Sequence, residues 1–225
     1  EKKNFPSFID KMMQAMEVVG VRELVEGKYE FAPLESSSQL CLDYDVTLLS
    51  PKKYFLPPRE TLLKFRMGKS VSCEAVWESK PLAIIGVHPY DLKAIAQLDR
   101  VFADANSDEH YHKKRQDTVL IGMDIKRASP YAFCKSMNSA TVQQGFDLFL
   151  TDIGEGYVVA VGTAKGQDLL TQWATSRTAT KEEVAKRSEI QGKIPTLFSL
   201  NSVTTPYEEL PGLLTDHAAS KLFEE

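Results

Sequence analysis

The stretch that decides the fold reads PLAIIGVHPYDLKAIAQLDRVF at positions 81–102 and is followed by TVLIGM at positions 118–123. Its first seven residues and the TVLIGM segment are short apolar runs rich in β-branched residues, which is typical of buried strands. Pro89 suits the first position of a helix, and the apolar residues from Leu92 to Phe102 recur at helical spacing. The pattern predicts two parallel strands joined by a crossing helix.

The flanking segments extend this unit into an α/β fold with a mixed sheet, βα units and a helical C-terminal portion. We expect an α/β core domain over residues 1–166 and a helical portion over residues 167–225. Cys73 is expected to be buried on its strand, because a thiol packs as a small hydrophobe. Further strands are predicted at 22–34 (a pair), 71–77, 147–151 and 157–163, and further helices at 7–19, 60–65, 108–116, 167–176, 181–191 and 212–225.

Composition excludes several classes of protein. The 225 residues are 43% hydrophobic and 26% charged, with a net charge of -4 and a pI of about 5.7, so nothing attracts nucleic acid overall. No apolar run approaches the roughly 20 residues that span a bilayer, and no signal peptide is recognisable. Three widely spaced cysteines do not suggest a disulfide framework. We therefore expect a cytoplasmic protein without membrane insertion and without a nucleic-acid partner.

The parallel strands predict where a ligand would lie. Their C-terminal ends bring the turn at 88–91 next to the loop at 125–138, and ligands of open α/β sheets occupy such a crevice. His88 is a candidate acid–base group or ligand, or else a turn histidine bonded to the backbone. Cys134 has Lys126, Arg127 and Lys135 nearby, which could lower the pKa of its thiol, although plain structural packing also fits. No GxSxG, HExxH, CxxC, P-loop or EF-hand pattern is present.

Several segments together resemble a known family. They are GVHPYDLKAIAQLDRVF (86–102), IGMD (121–124), AFCKSM (132–137), DLFLTDIGEGYVVAVGT (147–163) and YFLPPRETLLKF (54–65). The chain resembles the N-terminal domain of iron–sulfur electron-transfer subunits, such as the A subunit of anaerobic sulfite reductase and the β subunit of cytosolic nickel–iron hydrogenases. In that family a ferredoxin-like region with two [4Fe–4S] clusters follows. The resemblance thus implies [4Fe–4S] clusters beyond residue 225 and other subunits of a redox complex as partners.

The chain departs from the family at its cysteine positions. The family typically has cysteine where this chain has Tyr90, Ile125 and Ala132, and only Cys134 remains. A four-cysteine cluster needs four thiolates or a substituted ligand such as histidine, so we expect no cluster in this segment. A mononuclear zinc site from His88, Asp124 and Cys134 is an alternative. The candidate crevice residues are His88, Pro89, Tyr90, Asp91, Asp124, Ile125, Ala132, Cys134 and Ser136.

The favoured function is a non-catalytic N-terminal domain of an electron-transfer subunit in an anaerobic oxidoreductase complex of hydrogenase or sulfite reductase type. Two alternatives stay open: an assembly module without a redox role, and a small-molecule-binding enzyme domain that uses His88, Asp91 and Cys134. The first residue is Glu1, and the amphipathic segment 213–225 has no C-terminal cap. We therefore expect the natural chain to continue and the last helix to lead into the cluster-bearing region.

Overall fold

A six-stranded sheet forms the centre of the molecule. The computed structural model describes residues 1–68, 70–104 and 107–221. The strand order is β2-β1-β5-β6-β7-β8, and a separate two-stranded hairpin consists of β3 and β4. The strands are β1 (Glu17–Val25), β2 (Lys28–Pro33), β3 (Leu63–Arg66), β4 (Ser72–Ala75), β5 (Leu82–Val87), β6 (Thr118–Met123), β7 (Leu148–Asp152) and β8 (Tyr157–Val161).

The sheet is mixed, as the sequence predicts. Strands β1, β5, β6 and β7 run parallel, whereas β2 and β8 pair antiparallel at the two edges. Edge strands of this kind are common on otherwise parallel sheets, since a short turn suffices to add them. The strand pair predicted at 22–34 and the strands predicted at 147–151 and 157–163 are present, and each pair is antiparallel. The fold class inferred from the sequence is therefore correct.

Helices cover both faces of the sheet. They are α1 (Phe5–Ala15), α2 (Pro89–Phe102), α3 (Glu109–Asp117), α4 (Ala164–Trp173), α5 (Lys181–Lys193) and α6 (Leu210–Asp216), with short 3₁₀ turns at Lys2–Asn4, Ser37–Gln39, Pro51–Tyr54, Ile194–Leu197 and Tyr207–Glu209. Alternate residues of the central strands serve the two faces: Ile84 packs with the α2 residues Leu92 and Ile95, and Ile85 packs with Ile9 of α1. All six residues of β5 and of β6 are buried, which explains their uninterrupted apolar sequences.

One predicted helix is a strand, and the predicted N-terminal helix is too long. The segment predicted as a helix at 60–65 instead contributes β3, because its residues pair with β4 from Leu63 to Arg66. The N-terminal helix ends at Ala15, and Gly20 lies inside β1, where its missing side chain leaves room for Leu34 and Leu40. In both places, pairing with a distant strand outweighs the local helical pattern.

The C-terminal portion is helical but loosely packed. Helix α5 begins with a capping box between Thr180 and Glu183, and it matches the helix predicted at 181–191. Helix α6 ends at Asp216 instead of continuing to the C-terminus, and none of its residues is buried, so tertiary packing does not extend it. The predicted helical residues 222–225 lie outside the described part of the chain. The domain division at residue 166 stays a prediction, and α4 spans it.

Helix α4 depends on a glycine where it meets the sheet. A Cβ atom on Gly166 would lie 2.1 Å from the backbone oxygen of Asp147, whereas nothing lies within 4 Å of one on Gly192 in α5. We expect Gly166→Ala to lower the free energy of unfolding by about 2 kcal/mol, because backbone must shift. Gly192→Ala is the matched control and should be neutral or stabilising by up to ~1 kcal/mol. Equal urea midpoints for the two variants would contradict the close contact.

Among the described residues, no helix combines the length and the apolar character needed to cross a membrane.

Candidate functional site

The turn after β5 and the loop after β6 pack together at the carboxyl ends of the parallel strands. Both contribute to one apolar cluster, which we call the crevice cluster, and this confirms their predicted contact. Ile125 and Ala140 form its buried centre together with Ile194 and Phe198, and Tyr90, Ala128, Ala132 and Cys134 are packed around them.

The four positions at which the resemblance implies cysteine all belong to the crevice cluster. Tyr90 comes from the first turn of α2, Ile125 follows β6, and Ala132 and Cys134 lie farther along the same loop. The sequence did not predict that Ile194 and Phe198, from the turn after α5, would close this cluster. The site is therefore filled by side chains from both the core and the C-terminal portion.

His88 is enclosed and neutral. It precedes α2 and is 0% exposed, and its ring is stacked on that of Tyr44 with centroids 4.0 Å apart. Its Nδ1 lies 2.9 Å from the Tyr90 hydroxyl, whereas its Nε2 is buried without a partner among the described residues. Burial lowers the pKa of His88 to about 3, so the imidazole is uncharged at neutral pH. The residue is a structural turn histidine bonded to a side chain rather than to the backbone.

Tyr44 is another site residue that sequence reasoning missed. It is almost fully buried, and its hydroxyl donates a hydrogen bond of 2.6 Å to the Gly86 carbonyl. Burial raises the pKa of Tyr44, so it stays a neutral donor. It lies in an irregular loop, where no periodic pattern marks a residue as buried. Pro89 is buried and is the first residue of α2, as predicted.

Asp91 is held by Ser50, which lies in the segment before the β3–β4 hairpin. The Ser50 hydroxyl donates a hydrogen bond of 2.6 Å to its carboxylate, and Asp91 lies in the first turn of α2. Burial raises the pKa of Asp91, although the hydrogen bond from Ser50 opposes that shift. The residue is only 6% exposed, which leaves little of it for an added ligand.

Asp124 turns toward the next strand and α5. Thr151 donates a hydrogen bond of 2.5 Å to its carboxylate, and the Gln191 amide lies 3.3 Å from Oδ1. Burial raises the pKa of Asp124, while these hydrogen bonds and the charge of Arg187 lower it. Neither Thr151 nor Gln191 was a candidate from the sequence, because Thr151 reaches Asp124 through the pairing of β6 with β7 and Gln191 through the packing of α5.

Cys134 is not an activated thiol. Burial raises the pKa of Cys134, which is the reverse of what three basic neighbours would produce. Two of those neighbours are already paired: Lys126 with Asp152 at 2.6 Å and Arg127 with Asp43 at 3.0 Å. Of the two roles considered for Cys134, structural packing therefore fits and an activated thiol does not.

Ser136 connects the loop after β6 to the C-terminal portion. Its hydroxyl accepts a hydrogen bond of 2.9 Å from the backbone N–H of Val203. This contact and the crevice cluster both fasten segments after α5 to the loop after β6.

The residues present do not fit a four-thiolate cluster, because a phenol, two apolar side chains and one thiol occupy the four positions. Within residues 1–68, 70–104 and 107–221, no three His, Cys, Asp or Glu side chains group so as to hold a metal ion. In particular, His88, Asp124 and Cys134 do not come together as a ligand set.

One curated protein is clearly similar to the chain. Sulfhydrogenase 2 subunit beta from Pyrococcus furiosus is 32% identical over 167 residues, which are 74% of this chain and 48% of that protein. The chain thus spans about half the length of the relative it matches. No family model matches, and no solved structure does. The similarity supports the resemblance to hydrogenase β subunits, whereas the resemblance to sulfite reductase and the dicluster arrangement stay predictions.

Proposed function

We propose that this chain is a non-catalytic domain of an electron-transfer subunit in a hydrogenase-type oxidoreductase complex. The similarity to a protein named as a sulfhydrogenase β subunit carries the proposal. The domain docks other subunits and positions iron–sulfur clusters that belong to the remainder of the full-length protein. We place this complex in the cytoplasm of an anaerobic cell.

The crevice cluster supports the finer proposal that this domain has lost a cluster of its own. The four positions belong to one packed cluster, as ligands of one iron–sulfur site would, yet only Cys134 could supply a thiolate. Apolar packing now occupies that place, with Ile125 buried at its centre. The domain would then contribute shape and docking surface, and electrons would pass through clusters elsewhere.

The small-molecule enzyme alternative finds little support in the same geometry. His88 and Asp91 are buried and engaged by Tyr90 and Ser50, and the Cys134 thiol has a raised pKa. The assembly module differs from the favoured function only in whether electron transfer passes through this subunit. That difference determines the experiment.

We expect deletion of the gene to separate two activities of the complex in its natural host. Hydrogen-dependent reduction of the natural electron carrier should fall at least about tenfold, because that route needs the electron-transfer subunit. Hydrogen-dependent reduction of a small viologen dye should persist, since such a dye can take electrons from the catalytic subunit itself. Both are measured in anaerobic extracts, with re-expression of the intact gene as the control.

Parallel loss of both activities would instead favour the assembly module. Unchanged activities, together with failure of the tagged full-length protein to co-purify with a nickel-containing subunit, would overturn the proposed function.

A further inference from the structure

The β3–β4 hairpin has two chemically different faces. Its register places Leu63 opposite Ala75 and Phe65 opposite Cys73 on one face, and Lys64 opposite Glu74 on the other. Met67 and Val71 continue the alternation of the first face just beyond the strand ends. One face is thus apolar throughout its described residues, and the charged side chains lie on the opposite face.

The apolar face of the hairpin is exposed. Leu63, Phe65, Met67 and Val71 are 48%, 62%, 82% and 65% exposed, and all eight strand residues are classed as exposed. Cys73, predicted to be buried, is an exposed free thiol in the middle of this face. An isolated two-stranded hairpin is marginal in water, and a contiguous exposed apolar patch of this kind marks an interaction surface.

The base of the hairpin is fixed to the body of the protein. Glu60, just before β3, forms an ion pair of 2.5 Å with Lys114 of α3, and the Lys114 side chain is largely buried. Beyond β4, the Trp77 ring stacks on His110 with centroids 4.7 Å apart. Two side chains of α3, Lys114 and His110, thus hold the base of the hairpin. These contacts hold both ends of the β3–β4 hairpin against α3, so its apolar face has a defined position.

We propose that a second copy of this chain covers the apolar face with its own, in a two-fold symmetric dimer. Face-to-face packing of the two hairpins leaves Lys64, Arg66 and Glu74 in water, because these side chains lie on the opposite face. Complete covering of the six apolar residues in both copies would bury at most about 1,200 Å², which is the lower end of stable interfaces. A self-complementary patch is what a two-fold interface requires.

Sedimentation analysis of the purified chain tests the dimer. We expect a reversible monomer–dimer equilibrium, and we expect the double variant Phe65→Ser with Met67→Ser to raise the dissociation constant at least about 100-fold. The matched control replaces the alternate residues, Lys64→Ser with Arg66→Ser, and should keep the dimer within about threefold of the native constant. A monomer at all concentrations up to ~100 µM, or a dimer unaffected by the apolar double variant, overturns the proposal.

Cys73 gives a second readout that does not depend on the variants. The two-fold axis would pass near the Phe65–Cys73 pair, and packed sheets lie about 10 Å apart, so a short bis-maleimide should join two Cys73 thiols. We expect a cross-linked dimer that Cys73→Ser abolishes, and slower alkylation of Cys73 as the concentration rises. Alkylation at one rate across all concentrations, with no cross-link, would mean that this face is free or binds a different protein.

Discussion

Replacing Tyr90, Ile125 and Ala132 with cysteine is expected to give the chain a [4Fe–4S] cluster that the native sequence does not take up. The three positions and Cys134 already belong to one apolar cluster at the carboxyl ends of β5 and β6. Four thiolates from one site are the ligand set that such a cluster requires. After anaerobic reconstitution with iron and sulfide, we expect charge-transfer absorption and about four irons per chain in the variant, and neither in the native protein.

The matched control carries serine at the same three positions. It removes the same apolar contacts and the Tyr90–His88 hydrogen bond, so it reports the stability cost without adding thiolates. Both variants should be less stable than the native chain before reconstitution, because Ile125 is buried. A folded cysteine variant that binds no iron would show that the four positions do not converge as ligands. Stoichiometric cluster uptake by the native chain would overturn the proposed loss.

The central unit was predictable because local and tertiary signals agree there. Apart from Thr118, the strands β5 and β6 are apolar, and Pro89 is the first residue of α2. The strand pattern, the helix-start signal and the burial therefore all point to one structure. The convergence of the turn at 88–91 with the loop at 125–138 follows from the parallel order of the strands alone. The site could therefore be placed before any side chain was located.

The parts that were not predictable depend on contacts between distant segments. Tyr44 stacks on His88 from an irregular loop, and Gln191 reaches Asp124 from a helix far along the chain. The segment at 60–65 contains good helix formers after two prolines, yet pairing with β4 makes it a strand. Cys73 is exposed because no layer of the described chain covers that side of the hairpin. The local sequence pattern of a segment carries no information about which distant segment will contact it.

The free energy of unfolding is expected to fall by about 3 kcal/mol more between pH 7 and pH 4 in the native protein than in His88→Phe. Burial lowers the pKa of His88 from 6.5 to about 3 in the folded state. Between these values the unfolded chain binds a proton that the folded chain does not, so stability is complete above pH 6.5 and is lost as the pH falls toward 3. Phenylalanine can keep the stacking on Tyr44 without titrating.

Other buried groups change the absolute profile but not this difference. Burial raises the pKa values of Asp91 and Asp124, so their contributions oppose that of His88 at acid pH, and both proteins contain them. Urea unfolding at several pH values gives the comparison, and His217→Phe, at an exposed histidine, is the control that should follow the native profile. Parallel profiles for the native protein and His88→Phe would mean that water or a rearrangement of Tyr44 lets His88 take up its proton in the folded state. The conclusion that His88 is enclosed and neutral would then be wrong. So would the conclusion that this turn is closed to a ligand.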